Sequence, residues 1–215
     1  MSNPADKLGK IAEKIRVDFL AKDATREKVI PLCRETIRFC SQAIRAMHRQ
    51  EFDNARDMLS SAQKLVTKAK QKLDDYSRMP YPRFFLDAQK EFTEGSVTLA
   101  LITQQKLPDP DELEVNYAAY LNGLGEAVGE MRRYIIDSLR KGDFSRSEEL
   151  LQTMDDIYDV LVTMDFPDAI TNNLRHTTDM VRGVLERTRS DLTLAKQQKS
   201  LENKLEKLNR EEKNS

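Results

Sequence analysis

The amino-acid sequence predicts an all-α protein, and three observations support this prediction. Straight-chain helix formers dominate the 215 residues, which include 7 Gly, 7 Pro and no Trp. Long runs of β-branched residues are absent. Apolar residues recur every three or four positions, which is the period of a helix with one buried side. Since no linker divides the chain, we expect one domain of six or seven long antiparallel helices.

The interruptions of this period define the predicted elements. A helix begins at Ser2-Asn3-Pro4. The segment Thr25 to Gln50 either follows a break at Lys22-Asp23 or continues that helix with a bend at Pro31. Prolines in Met79-Pro-Tyr-Pro82 and in Lys106 to Asn116 mark further breaks. The remaining helices are predicted over Asp53 to Asp75, Arg83 to Gln104, Tyr117 to Lys141, Ser145 to Met164, and from Asp168 onward.

Local patterns predict how several helices end. Phe52 and Asp53 have the pattern of a hydrophobic staple and an N-cap, Ser145 to Glu148 has that of a capping box, and Gly142 that of a C-cap. The helical domain is predicted to span residues 1–195. In residues 196–215 the apolar side chains are Leu201, Leu205 and Leu208, which indicates a solvated helix extension or a frayed tail.

Composition excludes several classes of protein. Charged residues make up 33% of the chain but the net charge is −1, so a nucleic-acid partner would need a local basic patch. Cys33 and Cys40 lie seven residues apart on one predicted helix, about 10 Å, which is too far for a disulfide. No run of 18 apolar residues and no signal-peptide core is present. We therefore expect a soluble, cytoplasmic protein with reduced thiols and no membrane partner.

Two predicted helices carry clusters of acids. Glu126 and Glu130 lie one turn apart, and neither has a Lys or Arg four residues away. In the preceding helix Asp87, Glu91 and Glu94 share one flank, where Lys90 is the one residue placed to pair with Glu94. Like charges at these spacings destabilise a helix by about a few tenths of a kcal/mol. If the two helices are neighbours, four glutamates face each other and require a counter-charge.

Three interpretations of these glutamates compete. They form two solvated acidic faces, a di-iron carboxylate site, or an all-oxygen site for Mg²⁺ or Mn²⁺. The di-iron interpretation is disfavoured because Glu91 and Glu126 are followed at the third position by Glu94 and Gly129, not by His. His48 and His176 are interpreted as ordinary surface or boundary residues. The glutamates therefore carry any chemistry that the chain performs.

A basic stripe is the second candidate feature. Arg34, Arg38, Arg45 and Arg49 lie within about 60° of each other on one helix. This is either a solvated face, paired with neighbours such as Glu35, or a track for phosphates. In the second interpretation Arg83 and Arg132 or Arg133 assist in guiding an RNA backbone.

Several segments together resemble the translin and Trax family over nearly the whole chain. They are Gln89-Lys-Glu-Phe-Thr-Glu-Gly95, Asp109-Pro-Asp-Glu-Leu113, Tyr120-Leu-Asn-Gly-Leu-Gly-Glu-Ala-Val-Gly-Glu-Met-Arg-Arg-Tyr134, Gly142-Asp-Phe-Ser145 and Arg187-Thr-Arg-Ser-Asp191. The resemblance implies an all-helical, translin-like bundle that assembles into a hollow oligomer. The long insertion of animal Trax is absent, so the chain looks more like the compact archaeal members, which form homo-oligomers.

The resemblance also implies a function. Trax-type subunits take their catalytic acids from a Glu-x-x-Glu motif, matched by Glu91 and Glu94, and from an acid-x-x-x-Glu motif, matched by Glu126 and Glu130. Glu126 stands where Trax has Asp. We therefore expect an Mg²⁺- or Mn²⁺-dependent endoribonuclease, active as a homo-octamer on single-stranded RNA, with single-stranded DNA as a second ligand. The alternatives are a non-catalytic, translin-like nucleic-acid-binding scaffold and a structural helical adaptor.

Overall fold

The structure is a computed structural model that describes residues 4–75 and 81–213, and this part of the chain forms seven α-helices and no strand. In chain order they are α1 (Pro4–His48), α2 (Phe52–Asp74), α3 (Arg83–Ile102), α4 (Tyr117–Arg140), α5 (Ser147–Thr163), α6 (Asp168–Thr171) and α7 (Leu174–Lys213). The prediction of one all-α domain is confirmed. The predicted signals at Ser2-Asn3 and at Met79-Pro80 lie outside the described residues.

Helices α3 and α4 form the centre of the bundle. α3 packs against α1, α2 and α4, while α4 also packs against α5 and α7. Phe85 and Phe92 of α3, and Met131 and Ile135 of α4, are among the largest fully buried side chains. Burial of each such side chain stabilises the fold by roughly 1.5–3 kcal/mol. The two acidic helices of the sequence are therefore neighbours, held together by the core.

The connection between α3 and α4 returns along α3, so the two helices run in the same general direction. The backbone N–H of Asn116, just before α4, donates to Gln89 Oε1 near the start of α3 (3.2 Å). Beyond the end of α4, Arg146 donates to the carbonyl oxygens of Leu101 and Ile102 at the end of α3. This pair departs from the antiparallel arrangement expected of sequential helices.

The first helix is continuous through Pro31, so the alternative of a break at Lys22-Asp23 is wrong. A proline inside a helix removes a backbone hydrogen bond and costs about 3 kcal/mol. Val29 and Cys33 on either side of it are buried in the core, which offsets this cost. The helix ends at His48 because Gln50 adopts a left-handed conformation, with φ of 64°.

Two predicted N-caps are wrong. Helix α2 begins at Phe52 without a side-chain cap, and the predicted cap Asp53 pairs with Arg56 instead (2.6 Å). Helix α5 begins at Ser147, two residues after the predicted N-cap Ser145, because Asp143 Oδ1 accepts the Ser145 N–H and closes a turn first (2.9 Å). The left-handed conformation predicted at the end of α4 is confirmed at Gly142, where φ is 76°.

The predicted single helix from Asp168 is divided in two. Helix α6 ends at Thr171, and α7 begins at Leu174. Between them Asn172 and Asn173 have φ of 53° and 68°. Asparagine is one of the few non-glycine residues that adopt this conformation at low cost. The other predicted helix ends agree with the structure to within two residues.

The two long helices project at their free ends. Residues 4–20 of α1 and 196–211 of α7 are exposed along their length. They carry exposed apolar side chains: Leu8, Ile11, Ile15 and Phe19 on α1, and Leu201, Leu205 and Leu208 on α7. Of the two alternatives for the C-terminal segment, the structure shows the helix extension. Within the described ranges, no helix combines the length and apolarity needed to cross a membrane.

Candidate metal centre

A glycine sets the close approach of the two acidic helices. A Cβ atom at Gly123 of α4 would lie 2.5 Å from the Lys90 carbonyl oxygen and 2.7 Å from Thr93 Cβ, both on α3. Any side chain there would force the helices apart. Gly123 therefore allows the acidic turns that follow, at Glu91 and Glu126, to meet.

Three of the four predicted acids converge at this crossing. One carboxylate oxygen each from Glu91, Glu94 and Glu126 lies within 4.8 Å of the other two. All three side chains are half-buried. Among the described residues this is the one group of three His, Cys, Asp or Glu side chains placed closely enough to hold an ion. We call Glu91, Glu94 and Glu126 the acidic centre.

The electrostatics show how unfavourable this arrangement is for ionised carboxylates. Burial raises the pKa of Glu94 to about 8, and the charges of Glu91, Glu126 and Glu130 add to the effect. Burial also raises the pKa of Glu91, opposed by the charge of Lys90 and reinforced by those of Glu126 and Asp87. Partly dehydrated like charges at this separation repel strongly. The acidic centre therefore requires a cation to remain fully ionised at neutral pH.

Lys90 supplies one positive charge, but not to the partner that the sequence indicated. Its Nζ lies 2.6 Å from Glu126 Oε1 on the opposite helix and 3.8 Å from Glu91 Oε1. The predicted pairing of Lys90 with Glu94 is wrong, because the helix crossing brings Glu126 closer than the next turn of α3. The absence of a basic residue near Glu126 in sequence is thus compensated from another helix.

Glu130, the fourth predicted acid, lies beside the acidic centre and forms a hydrogen bond with His48 Nε2 of α1. The His48 side chain is 7% exposed and that of Glu130 is 21% exposed. The interpretation of His48 as an ordinary boundary residue missed this contact. No local pattern in the sequence indicated this contact, because the two residues are 82 positions apart. His176, in contrast, is exposed.

The predicted arginines differ in exposure and in their partners. The α1 stripe of Arg34, Arg38, Arg45 and Arg49 is exposed. Within it Arg38 pairs with Glu35 (2.8 Å) and Arg49 with Glu51 (2.7 Å). Arg132 faces α7, where it contacts Asp191 (2.7 Å) and Thr188 (3.1 Å). Arg83 and Arg133 are exposed.

The donor set of the acidic centre fits a hard divalent cation. It offers carboxylate oxygens only, which suits Mg²⁺ or Mn²⁺ better than the softer metals that prefer imidazole or thiolate. The nearby thiol of Cys40 is buried, and burial together with the charges of Glu91 and Glu94 raises its pKa, so it is a poor ligand.

Similar proteins exist among solved structures and known sequences. AfC3PO in its complex with duplex RNA is 32% identical, with a TM-score of 0.77 over 86% of this chain and 96% of that one. A second structure, the crystal structure of AfC3PO, is 31% identical, with a TM-score of 0.75 over the same shares of the two chains. Protein MJ0175 of Methanocaldococcus jannaschii, itself uncharacterized, is 28% identical over 180 residues, 82% of this chain and 79% of that protein.

A more distant structure shares the fold. Apo-NeC3PO is 19% identical, with a TM-score of 0.71 over 91% of this chain and 98% of that one. No protein-family model matches the sequence. The similarity to AfC3PO thus covers nearly the whole AfC3PO chain and most of this one.

Proposed function

This chain belongs to the translin/Trax-like C3PO family, and from that premise we propose that it is a metal-dependent endoribonuclease. The observation that carries the proposal is the acidic centre, in which Glu91, Glu94 and Glu126 from two helices converge within 4.8 Å. A binding scaffold gains nothing from half-buried, mutually repelling carboxylates next to a polyanionic ligand. A hydrolase that uses a divalent cation needs them.

Glu91, Glu94 and Glu126 would hold Mg²⁺ or Mn²⁺, and Glu130 would complete the set at its edge. When bound, such an ion promotes ionisation of water and neutralises charge that develops on the phosphate during in-line displacement. His48 fixes the orientation of Glu130 through their hydrogen bond. Cleavage by water leaves a 5′-phosphate and does not use the RNA 2′-OH as the attacking group.

RNA is the proposed substrate class. AfC3PO was solved with duplex RNA, which supports RNA binding in this family. Single-stranded RNA remains our proposed substrate, because a flexible strand can bring its phosphates to a centre recessed between helices. Binding and cleavage of single-stranded RNA, duplex RNA and single-stranded DNA of the same sequence distinguish these ligands.

We further propose a closed homo-oligomer, an octamer, with the acidic centres facing its interior. The exposed apolar side chains on the projecting ends of α1 and α7, such as Leu8, Ile15 and Leu205, support association. Light scattering at micromolar concentration should give a mass several times that of one 24.8 kDa chain. A mass near 24.8 kDa would contradict the oligomer and leave the centre unaffected.

Glu126→Gln tests the activity. The variant keeps the size of the side chain but removes one charge, so it should retain helicity and assembly while losing Mg²⁺- or Mn²⁺-dependent cleavage of labelled RNA. Glu148→Gln is the matched control, since Glu148 is an exposed residue that pairs with Lys196 on the surface. Addition of EDTA to the wild type should reproduce the loss. Cleavage by Glu126→Gln at the wild-type rate would instead favour the translin-like scaffold.

A further inference from the structure

We propose that Lys90 is a built-in counter-ion of the acidic centre, which limits the centre to one divalent ion per chain and weakens its affinity for that ion. This inference rests on the metal centre of the proposed function. It assigns to Lys90 a role as the residue that determines how many cations the centre takes and how firmly.

The position of the ammonium is the first argument. Lys90 Nζ lies 2.6 Å from Glu126 and 3.8 Å from Glu91, which are two of the three acids of the centre. Its side chain is 23% exposed, so most of it is withdrawn from water. An ammonium at this place occupies part of the space in which a second cation would sit.

The backbone of Lys90 fixes this position. Its carbonyl oxygen stands where a Cβ atom at Gly123 would be 2.5 Å away, at the closest approach of α3 and α4. The Lys90 side chain therefore starts at the helix crossing and reaches across to Glu126, which lies three residues after Gly123 on α4. The hydrogen bond that the ammonium donates to Glu126 then holds it at this place (2.6 Å).

The charge balance is the second argument. Three ionised carboxylates are neutralised by one ammonium and one divalent ion, and Glu130 is already engaged by His48. A second divalent ion would leave two excess positive charges in a partly dehydrated site when Lys90 is present and one when a neutral residue replaces it, and the larger excess is the more unfavourable. The single ion must also draw Glu126 away from Lys90, because both cations use the oxygens of that carboxylate. Lys90 is thus a competitor of the metal.

Competition and a purely structural role predict opposite effects on metal affinity when Lys90 is removed. If Lys90 only supported the fold, its removal would loosen the centre and weaken metal binding. If it competes, its removal strengthens metal binding. We expect the affinity for the metal ion to rise about tenfold or more. The substitution removes a positive charge, of the same sign as the metal ion, from beside the same carboxylates in a poorly solvated site.

Titration of Mn²⁺ into the full-length, metal-free protein, followed by calorimetry and by the electron paramagnetic resonance signal of free Mn²⁺, tests the inference. Lys90→Gln and Lys90→Met remove the charge, Lys90→Arg keeps it, and Lys106→Gln removes the exposed Lys106, which pairs with Glu112 on the surface. The wild type, Lys90→Arg and Lys106→Gln should bind one Mn²⁺ per chain with affinities within about threefold of each other. The two neutral variants should bind the first ion more tightly, and room for a second should appear.

The outcomes separate this inference from the proposed function. If the wild type binds Mn²⁺ and Glu126→Gln does not, but the neutral Lys90 variants show unchanged or weaker affinity, the counter-ion role is wrong and the metal centre remains. Two Mn²⁺ per wild-type chain would also overturn it. If neither the wild type nor any variant binds Mn²⁺, the metal centre fails and the proposed function fails with it. Two neutral variants are used so that the misfolding of one does not decide the result.

Discussion

The acidic centre and the α1 arginine stripe are both clusters of like charge, but they differ in burial and in the helices that supply them. The arginines stand on one helix and are exposed, and two of them pair with acids nearby in sequence, Arg38 with Glu35 and Arg49 with Glu51. The acids come from two helices and are half-buried, and their pKa values rise as a result at Glu91 and Glu94.

The difference lies in free energy. An exposed charge with an oppositely charged neighbour at i,i+3 changes the free energy of folding little in either direction, since water and salt screen it. Three carboxylates gathered from two helices repel one another in a site with little water, and the core packing of α3 and α4 must hold them there. A cluster that is costly to maintain indicates function more strongly than one that costs nothing. The predictions below test this comparison.

The largest effect is expected where the acidic centre is held together. Gly123→Ala places a methyl group 2.5 Å from the Lys90 carbonyl oxygen, which is backbone and cannot move aside. We expect a loss of about 1–3 kcal/mol in the free energy of unfolding. In a chain of this size each 1 kcal/mol lowers the melting temperature by about 2–4 °C. Separation of the helices should also abolish Mn²⁺ binding and cleavage.

Gly129→Ala on the same helix is the matched control. Nothing lies within 4 Å of a Cβ atom at Gly129, and alanine in a helix interior is favoured over glycine by roughly 0.5–1 kcal/mol. Thermal melting should therefore show Gly129→Ala to be as stable as the wild type or more so. Equal melting temperatures for Gly123→Ala and the wild type would mean that the helices are not held at this distance.

An intermediate effect is expected from the protonation of Glu94. Because its pKa is raised to about 8 in the fold, this group favours the folded state most at pH below about 4.5, and that contribution is lost as the pH rises through about 8. The metal-free wild type should therefore lose melting temperature between about pH 4.5 and 8, where the unfolded chain has released this proton and the folded chain still holds it. Glu94→Gln has no such charge, so its melting temperature should fall less and exceed that of the wild type at pH 9.

Two measurements control this prediction. Glu112→Gln changes an exposed acid paired with Lys106, and it should leave the pH dependence of melting unchanged. Saturating Mn²⁺ should remove most of the wild-type slope, since the ion compensates the charge of Glu94. Parallel curves for the wild type and Glu94→Gln in EDTA would show that Glu94 is ionised in the fold without a penalty.

The sequence predicted the fold and the acids of the centre because both depend on local pattern or on a motif. Helical period identified nearly every helix, and the resemblance to translin and Trax identified Glu91, Glu94 and Glu126. Local rules were wrong where a competing local contact decided, as at Ser145, where Asp143 closes a turn first.

Contacts between helices could not be predicted in the same way. The pairing of Lys90 with Glu126 and of His48 with Glu130 depends on where helices cross, and these pairs are separated by 36 and 82 residues. A single sequence has no period that reports such distances. The counter-charges of the acidic centre therefore became visible only in the structure, although the need for them followed from the sequence.

The smallest effect is expected from the arginine stripe. Arg34→Ala with Arg38→Ala removes two exposed guanidinium groups, and if the stripe contacts RNA it should weaken binding of all RNA sequences alike. Each lost phosphate contact reduces the slope of log affinity against log salt by about one unit, because fewer counterions are released.

The control is Arg175→Ala with Arg182→Ala, which makes the same charge change on α7, where both arginines pair with surface acids. If the α1 variant reduces the slope and the α7 variant does not, the stripe belongs to the RNA path in spite of its low cost. If neither changes the slope, the stripe is a solvated face and only the acidic centre is functional. Equal reductions in both would show that net charge alone, and not the stripe, governs RNA affinity.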